Sequence, residues 1–174
     1  DDGLPRGLAS VMPSGATLHS EAKGAVMKAF ERAGVGPRDV SLTELQDNTV
    51  YYELAFPEEW ELCKPGEAES LVEKGETLPT GKMPINPSGG FVSFGEATTA
   101  MGVFQVCELT WQLRGESGGR QVPNAKIGLG QTLGVVDGEV LHPPVAVVDE
   151  PVQMLAAPGP ERLLQGIQHE VGTH

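Results

Sequence analysis

The sequence predicts an α/β domain, and three observations carry that prediction. A helix-spaced apolar set occupies residues 20–33, strand-like runs follow at 40–45, 125–133 and 144–148, and a long apolar helical segment at 98–114 lies between them. Helices alternating with short strands are the pattern of helices laid on a sheet. At 174 residues and 39% apolar content, the chain matches one compact domain with a core of its own.

Residues 1–18 mix Gly, Pro and Ser without a period and read as an irregular lead-in. In 20–33 the residues Ala22, Ala25, Val26, Ala29, Phe30 and Ala33 recur at helical spacing, and Gly34 stands where a C-terminal cap belongs. A GVGPRD turn leads to Val40-Ser41-Leu42-Thr43-Glu44-Leu45, an alternating run that ends in the polar trio Gln46-Asp47-Asn48. The C-terminal end of a strand is where open α/β sheets place their sites. Residues 49–62 show helical spacing again through Val50, Leu54 and Trp60, with Pro57 expected to split the helix in two.

Five glycines and four prolines make residues 63–90 a long loop of the kind that is usually functional. In the helix expected at 98–114 only Gln105, Glu108 and Gln112 form a polar stripe, so it should be the deeply buried core of the domain. Val136-Asp137-Gly138 signals a turn between the last two strands, and a short helix and frayed tail are expected from Glu161. The resulting layout is a lead-in at 1–18, a domain at 19–150 and a tail at 151–174.

Charge and cysteine content narrow the function classes. Acidic residues outnumber basic ones 24 to 12, a formal charge of -12, which repels a polyanion and disfavours nucleic acid as a partner. Cys63 and Cys107 have neither metal-ligand nor disulfide spacing, which fits a reducing cytoplasmic setting. His169 and His174, in HEVGTH, do not have the HExxH spacing of a zinc site, and His19 and His142 sit in loops without an evident partner. No metal or cofactor bound by the chain is expected. No run reaches the roughly 18 apolar residues of a membrane span, and no export signal opens the chain. A start at Asp1-Asp2 without methionine is expected of a processed or partial product.

Several motifs in fixed order point to a family. Asn86-Pro87-Ser88-Gly89-Gly90 is followed by FVSF, then GEATTAMG, then a helix ending WQLRGE, then Arg120-Gln121-Val122 before a glycine-rich strand. This order resembles the thiolase superfamily, whose members read NPSGG, a short spacer, GHPxGATG, QLRGE and RQV. Upstream, AFERAGVGPRDV, the strand end ELQD and ELCKPGEAESLVEKG resemble the lipid-transfer and sterol-carrier branch, so the likeness spans roughly residues 20 to 135. It implies an α/β thiolase-like half-domain, the C-terminal half, with a mixed β-sheet covered by helices and one buried central helix. It also implies a partner, a thiolase-like N-terminal half that holds the nucleophilic cysteine.

The resemblance marks three reactive positions, and all three differ here. The histidine of GHP is Glu96, the histidine of the ELHD-like strand end is Gln46, and Gly130-Gln131-Thr132-Leu133-Gly134-Val135 has no cysteine. A carboxylate beside a thiol opposes thiolate formation, so Claisen chemistry is disfavoured. ELQD with GE in place of GHP is similar to steroid side-chain retro-aldolases, which cleave β-hydroxyacyl-CoA without a covalent cysteine. Those enzymes work with an OB-fold, zinc-ribbon partner that helps to bind the acyl-CoA substrate. Retro-aldol cleavage needs a base for the β-hydroxyl proton and donors for the thioester enolate. The candidate catalytic residues are Glu96, Asp47, Tyr51 and Tyr52; the candidate substrate-binding residues are Gln46, Ser88, Gly89, Gly90 and Gln131.

Each has a structural alternative. Glu96 precedes a helix start, where negative charge is favourable, and Asp47 is placed to cap the helix that follows it. Tyr51 and Tyr52 diverge by about 100° on a helix, so one faces a site and the other packs. Ser88, Gly89 and Gly90 shape a tight turn. Lys64, Lys74, Lys82 and Arg114 are scattered, which leaves the coenzyme A phosphates to the other half or a partner. Two further functions stay open: a thiolase-type acyltransferase whose cysteine lies elsewhere, and a non-catalytic lipid-transfer or assembly subunit.

Overall fold

The computed structural model describes the backbone of residues 15–96, 100–132, 134–136, 139–141, 145–149 and 153–156, and side chains within 23–132 apart from 94 and 97–99. In chain order the elements are α1 (Gly15–Ala33), β1 (Leu42–Leu45), α2 (Tyr51–Glu59), α3 (Ala68–Glu73), α4 (Gly90–Phe94), α5 (Met101–Arg114), β2 (Ile127–Gln131), β3 (Gly134–Val136), β4 (Glu139–Leu141), β5 (Val145–Asp149) and β6 (Gln153–Ala156). The main sheet has the order β1-β2-β5-β6, while β3 and β4 form a separate two-stranded ribbon. β1 runs parallel to β2, and the β2–β5 and β5–β6 pairs are antiparallel, so the sheet is mixed.

Helix α1 starts at Gly15, five residues ahead of the expected Ser20. It therefore takes in residues 15–18, expected as irregular. At its other end Val35 N–H donates to the Phe30 carbonyl (3.1 Å) and Gly34 N–H to that of Glu31 (3.3 Å), the paired bonds of a Schellman cap. All four residues of β1 are buried. Its alternation separates two buried faces instead of a wet face from a dry one. Leu45 packs with Val26, Phe30, Phe56, Trp60 and Leu129, and Leu42 packs with Leu109, Leu113 and Val122.

Pro57 does not split α2, which runs through it to Glu59. The ring sits in the last turn, where it removes one N–H bond just before the helix ends, and Trp60 N–H still reaches the Phe56 carbonyl (2.9 Å). The expected loop at 63–90 contains α3, whose Ala68 N–H is held by the Glu58 carboxylate (3.0 Å). Its end returns to the sheet: Ile85 bridges Thr43 in parallel, Thr43 N–H donates to the Pro84 carbonyl (2.9 Å), and Asn86 N–H donates to that of Thr43 (2.8 Å). The NPSGG turn is thereby delivered to the edge of β1 opposite β2.

The expected burial of α5 holds for one face and not all round. Its buried face carries Met101, Gln105, Glu108, Leu109, Gln112 and Leu113, whereas Val103, Phe104 and Trp111 are 62%, 47% and 47% exposed. The polar stripe can face inward because it is satisfied there. Gln105 Nε2 donates to the Gln131 carbonyl (2.7 Å), Gln112 Oε1 accepts from Val122 N–H (2.8 Å), and Glu108 pairs with Arg120 (2.8 Å). A Cβ on Gly128 of β2 would lie 2.8 Å from Leu109 Cδ2, so glycine there lets helix and sheet approach closely. No helix among the described residues is long and apolar enough to cross a membrane. Strand β6 lies beyond residue 150, and the segment from Glu161 falls outside the described residues.

Candidate functional site at the strand ends

Because β1 and β2 are parallel, their C-terminal ends meet at one edge of the sheet and bring Gln46 and Asp47 beside Gln131 and Thr132. Gln46 N–H donates to Gln131 Oε1 (3.3 Å), and Thr132 Oγ1 donates to Gln46 Oε1 (3.1 Å). The Gln46 N–H decides which end of the Gln131 amide is oxygen. Gln131 Nε2 is then a fully buried donor without an acceptor among the described residues. An unpaired buried donor costs about 1–3 kcal/mol, a cost that an arriving acceptor removes. A Cβ on Gly102 would lie 3.1 Å from Thr132 Cγ2, so the first turn of α5 also closes on this corner.

The NPSGG turn is fastened to β1 by four side chains. Asn86, at a φ of 46°, accepts from Leu45 N–H at Oδ1 (2.8 Å) and donates from Nδ2 to Glu53 Oε1 (2.7 Å). Glu44 receives Ser88 twice, N–H to Oε1 (3.0 Å) and Oγ to Oε2 (2.7 Å). Ser88 Oγ in turn accepts from Gly90 N–H (3.1 Å), and Asp47 Oδ1 accepts from Phe91 N–H (2.7 Å). Gly90 has a φ of 66°, and a Cβ there would collide with the Asp47 carboxylate. Only glycine fits that position.

Burial sets the electrostatics. Glu44 is 3% exposed, and burial pushes its carboxyl up to about 7 against the lowering effect of the two Ser88 bonds, with Glu108 and Asp47 adding to the rise. Glu53 is also raised, chiefly by burial and then by Asp47, while the Asn86 bond lowers it. The Cys63 thiol is pushed up to about 11 by burial and by Glu58 and Glu67, the opposite of an activated nucleophile.

The sequence candidates fall into three groups. Gln46, Asp47 and Gln131 meet at the strand ends, with Ser88 half-buried, Gly89 exposed and Gly90 buried on the adjoining turn. Asp47 does cap a helix, but it is α4 across the fold; α2 begins at Tyr51, with Val50 at its N-cap and no side-chain cap. The tyrosines diverge: Tyr52 stacks on Phe56, ring centroids 4.8 Å apart, and Phe56 on Trp60, whereas Tyr51 is 56% exposed. Glu96 is exposed just past α4, and residues 97–99 beyond it are outside the described set. Sequence reasoning missed Glu44, Glu53 and the side chain of Asn86. The sequence signal of the two glutamates is an acidic residue within an apolar element, and the partners of these side chains lie 33 to 44 residues away.

A mixed sheet with helices on both faces and polar groups at parallel strand ends defines an α/β protein with a strand-end site. The chain belongs to the family described as thiolase C-terminal domain-like, whose model matches residues 9–139. It is 46% identical over 113 residues to sterol carrier protein 2 of Rattus norvegicus, covering 65% of this chain and 21% of the relative. It is 37% identical over 114 residues to the acetyl-CoA acetyltransferase of Methanothermobacter thermautotrophicus, covering 66% of this chain and 30% of that enzyme. Among solved structures, the Ltp2-ChsH2(DUF35) aldolase superposes with a TM-score of 0.57 at 26% identity, covering 64% of this chain and 28% of that one. The chain thus spans about a fifth of the length of the sterol carrier relatives it matches.

Proposed function

We propose that this chain is the C-terminal half of a thiolase-like acyl-CoA C–C bond lyase, a retro-aldolase for β-hydroxyacyl-CoA bearing a steroid or similar side chain. The observation that carries the reading is the kind of group gathered at the strand ends: amides and a carboxylate, including Gln131 Nε2, which has no partner among the described residues. Cys63 and Cys107, the two cysteines of the chain, lie after α2 and on α5, and the Cys63 thiol is raised rather than activated. The superposition on an aldolase supports the same reading.

In the proposed step Glu96 takes the β-hydroxyl proton, the C–O bond becomes a carbonyl, and the Cα–Cβ bond breaks. The released electron pair becomes the thioester enolate, whose oxygen is assigned to the strand-end corner of Gln46 and Gln131, where substrate binding would have to uncover the buried Gln131 amide. Asp47 and the Ser88-Gly89-Gly90 turn hold the wall of the site, and Tyr51, the exposed tyrosine of the pair, is the one assigned to face substrate. The rest of the machinery lies with partners: a thiolase-like N-terminal half and an OB-fold, zinc-ribbon acyl-CoA-binding protein that meets the coenzyme A phosphates. The setting is cytoplasmic. The identity with an acetyl-CoA acetyltransferase favours a second reading, an acyltransferase whose nucleophilic cysteine sits in that other half.

Glu96→Gln separates these readings from a non-catalytic lipid-transfer or assembly role. In the assembled protein, cleavage of a β-hydroxyacyl-CoA should fall by roughly 10²–10⁴-fold with the complex intact. Cleavage at the wild-type rate in the variant would defeat the role of Glu96. Acetyl transfer without cleavage in the wild type would establish the second reading instead.

A further inference from the structure

We infer that Ser88 and Glu44 form a proton relay that hands a proton to the α-carbon of the enolate, completing the reaction that Glu96 begins. The inference rests on the lyase reading for the identity of the carbon, but its geometry is independent of Glu96. Ser88 Oγ donates to Glu44 Oε2 at 2.7 Å and accepts from Gly90 N–H at 3.1 Å. A hydroxyl has one donor and two lone pairs, so one lone pair of Ser88 remains. The serine is half-buried at the tip of the turn, whereas Glu44 beneath it is sealed from solvent at 3% exposed. The carboxyl therefore reaches a ligand through Ser88.

The proton count closes. When Glu44 carries a proton, its O–H donates to Ser88 Oγ, and the serine proton is released from Glu44 to point at a ligand. As the enolate carbon takes the serine proton and forms its C–H bond, Ser88 Oγ takes the proton of Glu44, which becomes a carboxylate. The proton that Glu96 removed from the β-hydroxyl returns through solvent, so the acyl-CoA gains one proton and the aldehyde or ketone leaves having lost one.

The groups that bear on Glu44 are Asp47 at the end of its own strand, Glu108 of α5, and Arg120, which is paired to Glu108. Two nearby carboxylates and burial favour the protonated form, and the Ser88 bonds oppose it. A group balanced close to neutrality suits proton transfer in either direction.

The relay run backwards exchanges the α-hydrogens of a simple acyl-CoA with solvent and needs no C–C cleavage. The test follows deuterium uptake into propionyl-CoA in D2O by mass spectrometry, with the assembled protein as wild type, Ser88→Ala and Glu44→Gln, while β-hydroxyacyl-CoA cleavage is measured in parallel. Exchange in the wild type that falls by roughly 10²-fold or more in both variants is the expected result. The Glu44→Gln variant should also lose the pH dependence near neutrality. Exchange within threefold of wild type in both variants would overturn the relay whatever happens to cleavage. Variant-sensitive exchange without any cleavage would keep the relay and remove the lyase reading, and the absence of both activities would remove both.

Discussion

Replacing Glu44 by glutamine tests the buried carboxyl by stability, independently of any activity. In the folded chain burial lifts this group from 4.5 to about 7. A raised acid is held more tightly by the folded state, so between those two pH values the native protein binds a proton that the unfolded chain has lost. Stability then falls as pH rises through the window, and the full loss is in place above the folded value. At 1.36 kcal/mol per pKa unit the rise amounts to about 3 kcal/mol. Glutamine mimics the protonated form, its Oε1 accepting from Ser88 N–H and its Nε2 donating to Ser88 Oγ, and it cannot titrate. Urea unfolding of both proteins from pH 4 to pH 8.5 should therefore show the variant gaining on the wild type by about 3 kcal/mol across that range. Most of the gain should fall between pH 4.5 and 7. A difference that stays flat with pH would mean that Glu44 titrates as an exposed carboxylate does, and the argument from burial would be wrong.

Two further substitutions probe how the turn and the 116–122 segment are held. Gly90→Ala forces a Cβ into the Asp47 carboxylate at a positive φ and should cost at least about 2 kcal/mol of stability. It should also release Phe91 N–H from Asp47, visible as faster hydrogen exchange at residues 90–94; unchanged protection there would contradict the clamp. Gln112→Leu removes the side chain that joins Glu108, the Arg120 carbonyl and Val122 N–H. It should lower thermal stability by about 2–4 kcal/mol through buried groups left unpaired, whereas a loss below about 0.5 kcal/mol would show that water replaces the amide.

The sequence alone determined what local chemistry and short periods encode. The apolar stripe through Val26 and Phe30 and the stop at Gly34 define α1, the helical spacing after Asp47 defines α2, and the ordered motifs from NPSGG to WQLRGE define the family. The polar trio Gln46-Asp47-Asn48 marks where β1 ends. Tertiary structure alone decided which face of α5 is inside. A narrow polar stripe on an apolar cylinder does not say which face is covered, and Gln105, Glu108 and Gln112 face inward because Gln131, Arg120 and Val122 supply their partners. Tertiary structure likewise made Glu44 a buried group near neutrality, moved the cap of Asp47 from the adjacent helix to one 44 residues away, and sent Tyr52 into the aromatic stack while leaving Tyr51 outside. The physical reason is common to all of these. Periodicity reports that the faces of an element differ, but burial, desolvation and a hydrogen-bond partner tens of residues distant belong to the packed chain, and no local window of sequence contains them.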